Sequence, residues 1–246
     1  KDDITAISNI PVIGVIGKSK EAKESYMVVD KYPNSLTTEA FRVIRTNLSF
    51  YTSKSPCKIV LLTSTHPSEG KTFCAANIAS ILAKTKKKTI LIDLDLHKPK
   101  QANAFNLKND IGVSTFLAGR SSVNEIIQET PVENLHIILS GPRTPNASEL
   151  IHEPALEDLI NELKKRYEYI LLDSPPVGLL SDSLYLMKFS DVNLFVLKAY
   201  RSKRDSVELA MSISEKHNIR SLSFILYGVS AKYIPAGYGG NYFYKQ

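Results

Sequence analysis

The sequence lacks any apolar run near the roughly 20 residues that a membrane-spanning helix needs, so no span is expected within its 246 residues. Cysteine is scarce. Cys57 and Cys74 lie beside or inside apolar runs, without metal-ligand spacing, which favours free thiols in a reducing compartment over a disulfide or a zinc site. The five histidines show no ligand spacing either. The opening KDDITAISN has neither a starting Met nor the form of a signal peptide, and it reads as a piece of a longer chain whose membrane spans, if it has them, lie elsewhere.

What is present is an ordinary globular composition, 43% hydrophobic and 23% charged, long enough for one large α/β domain and short for two. The 31 Lys and Arg against 25 Asp and Glu give a net charge of +6. That balance suits phosphate-rich ligands, anionic lipid and nucleic acid equally, and it selects none of them.

Along the chain, residues 1–35 show little sustained periodicity and read as an entry segment or linker. From Leu36 the pattern turns helical, with Thr37 or Thr38 as the cap and Phe41, Ile44 and Leu48 on one stripe. Apolar runs then alternate with helical patterns: KIVLLTS, a helix from Lys71, TILIDLD, NLHIIL, a helix from about Pro154, YILLD, VNLFVLKA, a helix from about Arg204, and LSFILYGV. Short continuous Ile, Leu and Val runs separated by helices mark a doubly wound, mostly parallel α/β sheet covered on both faces. The core domain is therefore set at residues 36–230. Residues 231–246, rich in Gly and Tyr, read as a flexible tail.

LLTSTHPSEGKTF ends an apolar strand and opens a helix, which is where a phosphate loop stands, because backbone N–H groups and a helix N-terminus converge there. The backbones of Ser68, Glu69, Gly70, Lys71, Thr72 and Phe73 would cradle phosphates. Lys71 would reach the β and γ phosphates of ATP, and the Thr72 hydroxyl would bind Mg²⁺. The usual first Gly of the motif is Thr65. Two further strands end in carboxylates, Asp93 with Asp95 and then Asp173, which need a cation if buried; Mg²⁺ on nucleotide phosphates supplies one.

These motifs together, STHPSEGKT, ILIDLDLH and ILLDSPP, with Glu39, Arg42 and Arg45 as E-x-x-R-x-x-R and a tyrosine-rich C-terminus, resemble the bacterial tyrosine kinases of capsule and exopolysaccharide export. The resemblance implies a fold of the MinD/ParA-like P-loop type and a ring of subunits, an octamer by analogy, that phosphorylate a neighbour's tail. It also implies a transmembrane polysaccharide co-polymerase as activator, a protein-tyrosine phosphatase, external tyrosine substrates and a place on the cytoplasmic face of the membrane. It implies no nucleic-acid partner. By the same analogy Asp93 takes the tyrosine proton or holds the metal, Asp95 assists with the metal, and Asp173 binds Mg²⁺ directly or through water. The sequence departs from the family pattern at His97, where Arg is common, and at Tyr227, where related ATPases often use Asn to read adenine.

Glu39, Arg42 and Arg45 step by three along one helix face, away from the apolar stripe; such a stripe is ordinarily a solvated face. The resemblance favours a contact between subunits. Tyr233, Tyr238, Tyr242 and Tyr244 put four of the chain's 12 tyrosines in its last stretch, an enrichment that favours phosphoacceptors over low complexity. The competing reading is a partitioning or positioning ATPase. That class usually carries a second lysine early in the phosphate loop, where this chain has His66.

Overall fold

The computed structural model describes residues 2–51, 56–179, 181–219 and 221–234. Eight strands form one sheet: β1 (Val12–Gly17), β2 (Lys58–Ser64), β3 (Thr89–Asp93), β4 (Ile127–Glu129), β5 (Leu135–Ile138), β6 (Tyr169–Asp173), β7 (Val192–Lys198) and β8 (Leu222–Val229). Their order is β1-β8-β7-β2-β6-β3-β5-β4. Every pairing is parallel except the β4–β5 edge. Four longer helices cover the sheet: α1 (Leu36–Tyr51), α2 (Lys71–Ala83), α3 (Pro154–Lys164) and α4 (Arg204–Lys216).

The continuous apolar runs follow from this arrangement, because a strand covered on both faces must be apolar at every position. In β2, Ile59 and Leu61 enter the core under α3 and α4, while Val60 and Leu62 enter the core under α1 and α2. Each such side chain, once buried, contributes about 1.5–3 kcal/mol. The sheet is thus doubly wound, as its run pattern implies.

The largest departure from the sequence reading lies at the N-terminus. Residues 12–17, read as part of an entry segment, form β1, wholly buried and paired in parallel with β8. The run is only six residues long and is separated from the other strands by charged turns, so its pairing is set by the distant β8. Gly14 lets α1 lie close, since a Cβ there would stand 2.2 Å from the Ile44 side chain. Asn77, buried in α2, fixes the stretch between β1 and α1 by accepting from the Val29 N–H (2.9 Å) and donating to the Tyr26 carbonyl (2.7 Å).

Smaller differences have local causes. The cap of α1 is Ser35, whose Oγ accepts the Thr38 N–H at 3.1 Å; Thr38 turns its own hydroxyl to the Tyr32 carbonyl at 2.7 Å. The three-residue β4 is too short to show a period. Ala231–Tyr233, assigned from sequence to the tail, form a 3-10 turn followed by the buried Ile234. Both cysteines are buried thiols outside any disulfide among the described residues; burial pushes the Cys57 thiol up to about 11.

Candidate active site

The crossover from β2 runs to β3 on one side of the sheet, while β7 and β8 lie on the other. The C-terminal end of β2 is therefore a topological switch point, where α/β sheets open a crevice. The loop of residues 65–70 fills it. Its turn is closed by Ser64 Oγ donating to the His66 carbonyl (2.8 Å) and by the His66 N–H donating to Glu69 Oε2 (2.8 Å). Glu69 is fully buried, and its other oxygen accepts the Ser202 hydroxyl. Ser68 (φ 67°) and Gly70 (φ 100°) are left-handed. Gly70 has a second reason to be glycine, because a Cβ would meet the Tyr227 ring at 2.4 Å.

Lys71 opens α2 and is buried among carboxylates. Its Nζ stands 3.2 Å from Asp173 Oδ1 and 3.7 Å from Asp95 Oδ2. Asp93 and Asp173 are direct partners in the β3–β6 register. Burial, then the charges of Asp173 and Asp95, holds the Asp93 carboxyl well above its usual range; burial also raises Asp173, opposed by Lys71 and Gln101. Burial alone would lower Lys71, but Asp173, Asp95 and Asp93 outweigh it and hold the ammonium above its ordinary value. One buried cation thus faces three carboxylates.

A cavity of about 500 Å³ lies over this cluster. Ser68, Gly70, Lys71, Thr72, Phe73 and Asp95 line it, while Glu69 and Asp93 lie behind its wall. On the β7–β8 side its wall is Tyr26, Tyr227 and Lys198. Phe73 packs against Tyr227 with ring centroids 5.3 Å apart and against Tyr26 at 6.4 Å, and burial pushes the Tyr227 hydroxyl up to about 12. On the β3 side the wall is His97, Lys98 and Lys100. Lys198, the last residue of β7, reaches back to the Ser68 carbonyl at 3.3 Å, whereas Arg204, farther along, pairs with Glu208 on the surface.

Several residues here carry no motif. Gln101 donates through Nε2 to Asp173 Oδ2 (2.8 Å) and to the Thr72 carbonyl (3.3 Å), and its N–H meets Asp93 Oδ2 at 3.4 Å. Only its place at the start of a short helix after the Asp93/Asp95 motif hints at this. Ser202 and Asn77 gave no signal at all. Glu39 and Arg42 form a surface pair at 2.7 Å on α1, Arg42 also donates to the Pro33 carbonyl, and Arg45 is half-buried nearby. They do not join the cavity. Tyr233 is 59% exposed; Tyr238, Tyr242 and Tyr244 lie outside the described residues.

A family model described as an AAA domain matches residues 57–211. The putative tyrosine-protein kinase CapB of Staphylococcus aureus is 33% identical over 86% of this chain and 92% of its own. The crystal structure of the chimerical protein CapA2B2 superposes with a TM-score of 0.85 at 31% identity, covering 93% of this chain and 99% of that one. The chain belongs to the bacterial tyrosine kinases. The septum site-determining protein MinD of Pyrococcus horikoshii, solved with Mg-ADP, matches the kinase at a TM-score of 0.59 and 21% identity, over 70% of each chain. That likeness is one of fold alone. The kinase thus carries protein-tyrosine kinase activity on a MinD-type P-loop scaffold, and among its described residues no helix is long and apolar enough to cross a membrane.

Proposed function

We propose that this kinase transfers the γ-phosphate of Mg·ATP to tyrosines of its own C-terminal segment, Tyr233, Tyr238, Tyr242 and Tyr244, across the subunits of a ring. The observation that carries the reading is Lys71, a buried ammonium at the N-terminus of α2, compensated by Asp173 and Asp95 and facing the cavity. In transfer, the tyrosine oxygen bonds to the γ-phosphorus, the bond from that phosphorus to the β–γ bridging oxygen breaks, ADP leaves with that oxygen, and the hydroxyl proton goes to a carboxylate of the cluster, Asp93 by the family resemblance. Loop backbones at residues 68–73 and Lys71 hold the phosphates.

The residues fit a divalent cation. Thr72 lines the cavity, and Gln101 Oε1 is buried beside the carboxylates without a partner in the structure described. Thr72, Asp93, Asp95 and Asp173 would hold Mg²⁺, directly or through water. Mg²⁺ keeps water and shares phosphate oxygens, so the carboxylates need not enclose it. When bound, it supplies charge neutralisation to the transferring phosphoryl.

The Glu39, Arg42 and Arg45 face supports a contact between copies because it points away from the core and spends its charge on no buried group. Each phosphate adds about −1.5 to −2 charges, so several on one short tail repel one another and release it from the ring. The resemblance extends the reading to regulation of capsular or exopolysaccharide synthesis and export, with a transmembrane activator and an opposing phosphatase, at the cytoplasmic membrane face. The partitioning-ATPase reading is less well supported, since His66 stands where such proteins place a lysine.

Incubation with Mg·ATP followed by peptide mass spectrometry tests the proposal. Phosphate on tyrosines within residues 233–246 is expected. Phosphate confined to core tyrosines such as Tyr167 or Tyr169 would end the tail assignment, and absence of any phosphotyrosine would end the autokinase reading.

A further inference from the structure

The β3 side of the cavity holds an arrangement that the phosphate chemistry does not use. His97 lines the cavity, and behind it stands Asp182, a carboxylate only 1% exposed at the start of the helical turn Asp182–Met187. The ring Nε2 of His97 lies 3.3 Å from Asp182 Oδ2, and Ser148 Oγ donates to that same oxygen at 3.1 Å while lying 3.4 Å from Nε2. His152 approaches the other oxygen, Oδ1, at 3.9 Å, and among the described residues Oδ1 accepts no hydrogen bond. A buried acidic side chain with one oxygen left over is costly unless it serves to hold something.

What it holds is an imidazole in one orientation and one tautomer. A carboxylate oxygen accepts, so Nε2 carries the hydrogen of the 3.3 Å contact. With Nε2 engaged, Nδ1 is the ring nitrogen left to accept, and it has no hydrogen bond among the described residues. The cavity itself assigns a direction to this acceptor. Tyr26, Phe73 and Tyr227 give the β7–β8 side an aromatic wall suited to a nucleoside, Lys71 stands at the end of β2 with Asp95 and Asp173, and His97 follows β3, which the sheet order puts on the other side of β2 from β7 and β8. With a nucleoside on that aromatic side, a group entering from the β3 side would meet the terminal phosphate from the opposite side, as an in-line acceptor must.

We infer that His97 accepts a hydrogen bond from the hydroxyl of the incoming tyrosine, and that Asp182 and Ser148 are positioning residues that fix the ring for it. The inference rests on the kinase reading above and adds the acceptor side of its site. His97 binds and orients the hydroxyl in the ground state; Lys71 and the carboxylates are left to the phosphate.

The test uses the purified chain with saturating Mg·ATP and a random glutamate–tyrosine copolymer as acceptor, so that it does not depend on the tail. His97→Phe keeps the ring and removes both nitrogens. Its kcat/KM for the copolymer should fall about tenfold, the upper end of what one neutral hydrogen bond is worth. Affinity for a non-hydrolysable ATP analogue should stay at the parent's value, while the unfolding midpoint should fall, because the buried Asp182 loses one of its partners. His97→Asn, whose side-chain carbonyl again offers an acceptor, should recover part of the loss, and Asp182→Asn should show a smaller loss in the same parameter. Parent-like copolymer kinetics for His97→Phe would overturn the inference, as would a matching loss of nucleotide affinity, which would mark His97 as a structural tie. If the parent binds nucleotide yet phosphorylates no copolymer, the kinase reading itself fails and this inference falls with it.

Discussion

Two ion pairs in this kinase invert the ranking that distance alone would give. Glu39 and Arg42 meet at 2.7 Å on the surface of α1, with both side chains 37% exposed. Lys71 and Asp173 meet at 3.2 Å, with both nearly sealed from water. The shorter pair sits in a high dielectric and pins two long side chains, so it contributes under about 1 kcal/mol. The longer pair is part of a buried cluster in which removing one partner leaves charge uncompensated, at a cost of about 3–5 kcal/mol. Burial, not length, decides which pair governs the molecule.

That contrast is tested most severely at Lys71. Lys71→Met should lower phosphotyrosine formation by three or more orders of magnitude, read by anti-phosphotyrosine signal against time. It should also destabilise the nucleotide-free protein, because Asp93 and Asp173 lose the buried cation that compensates them; a folded variant with near-parental labelling would break the comparison.

Asp93→Asn carries the opposite sign for stability. The folded-state carboxyl titrates above its unfolded value, so ionising it opposes folding as pH rises from below the unfolded value of 3.8. The variant should therefore melt a few degrees higher than the parent near neutral pH, with the gap closing as pH falls through the carboxylate range, while activity at limiting Mg²⁺ drops at least about a hundredfold. Calorimetry across pH reads the first, and a magnesium titration the second. A variant that melts lower at neutral pH would show that the carboxylate's hydrogen bonds from Asp95 and Gln101 outweigh its desolvation.

Between the extremes lies Glu69, buried yet held by hydrogen bonds alone. Ser202→Ala strips one oxygen of its partner and should cost about 1–3 kcal/mol, seen in denaturant unfolding, and should raise the KM for ATP by loosening the loop. The smallest effect on stability is expected at the surface. Replacing Glu39, Arg42 and Arg45 together by Ala should move the unfolding free energy by less than about 1 kcal/mol, yet reduce the mass measured by light scattering where the parent assembles. An unchanged mass would remove the subunit-contact proposal.

What could be read from the sequence divides along the same line. Strands whose apolar runs were continuous, such as KIVLLTS and YILLD, declared themselves because burial on both faces leaves a one-dimensional trace. Lys71, Asp93, Asp95 and Asp173 were legible for a related reason: strand ends and a glycine-led helix start fix them in position along the chain. Gln101, Ser202 and Asn77 act across long separations, at 72, 133 and 48 residues from Asp173, Glu69 and Val29, and nothing local distinguishes them from other polar residues. His97 was noticed only as a departure from a pattern; its partners Asp182 and Ser148 become meaningful once the fold brings them beside it. Strand β1 escaped because its reason for being a strand is β8.

That edge strand has a practical reach. A fragment begun at residue 36, the boundary the sequence invites, would keep the whole phosphate site and discard the cover on one side of β8. The Phe224–Val229 backbone would then offer open donors and acceptors, flanked by the apolar side chains of Phe224, Ile225 and Leu226, the template on which strands from separate molecules pair. Tyr26 would leave with the same cut, and with it part of the cavity wall. Shortened preparations should therefore aggregate and lose nucleotide affinity together, and neither failing would speak to the chemistry at Lys71.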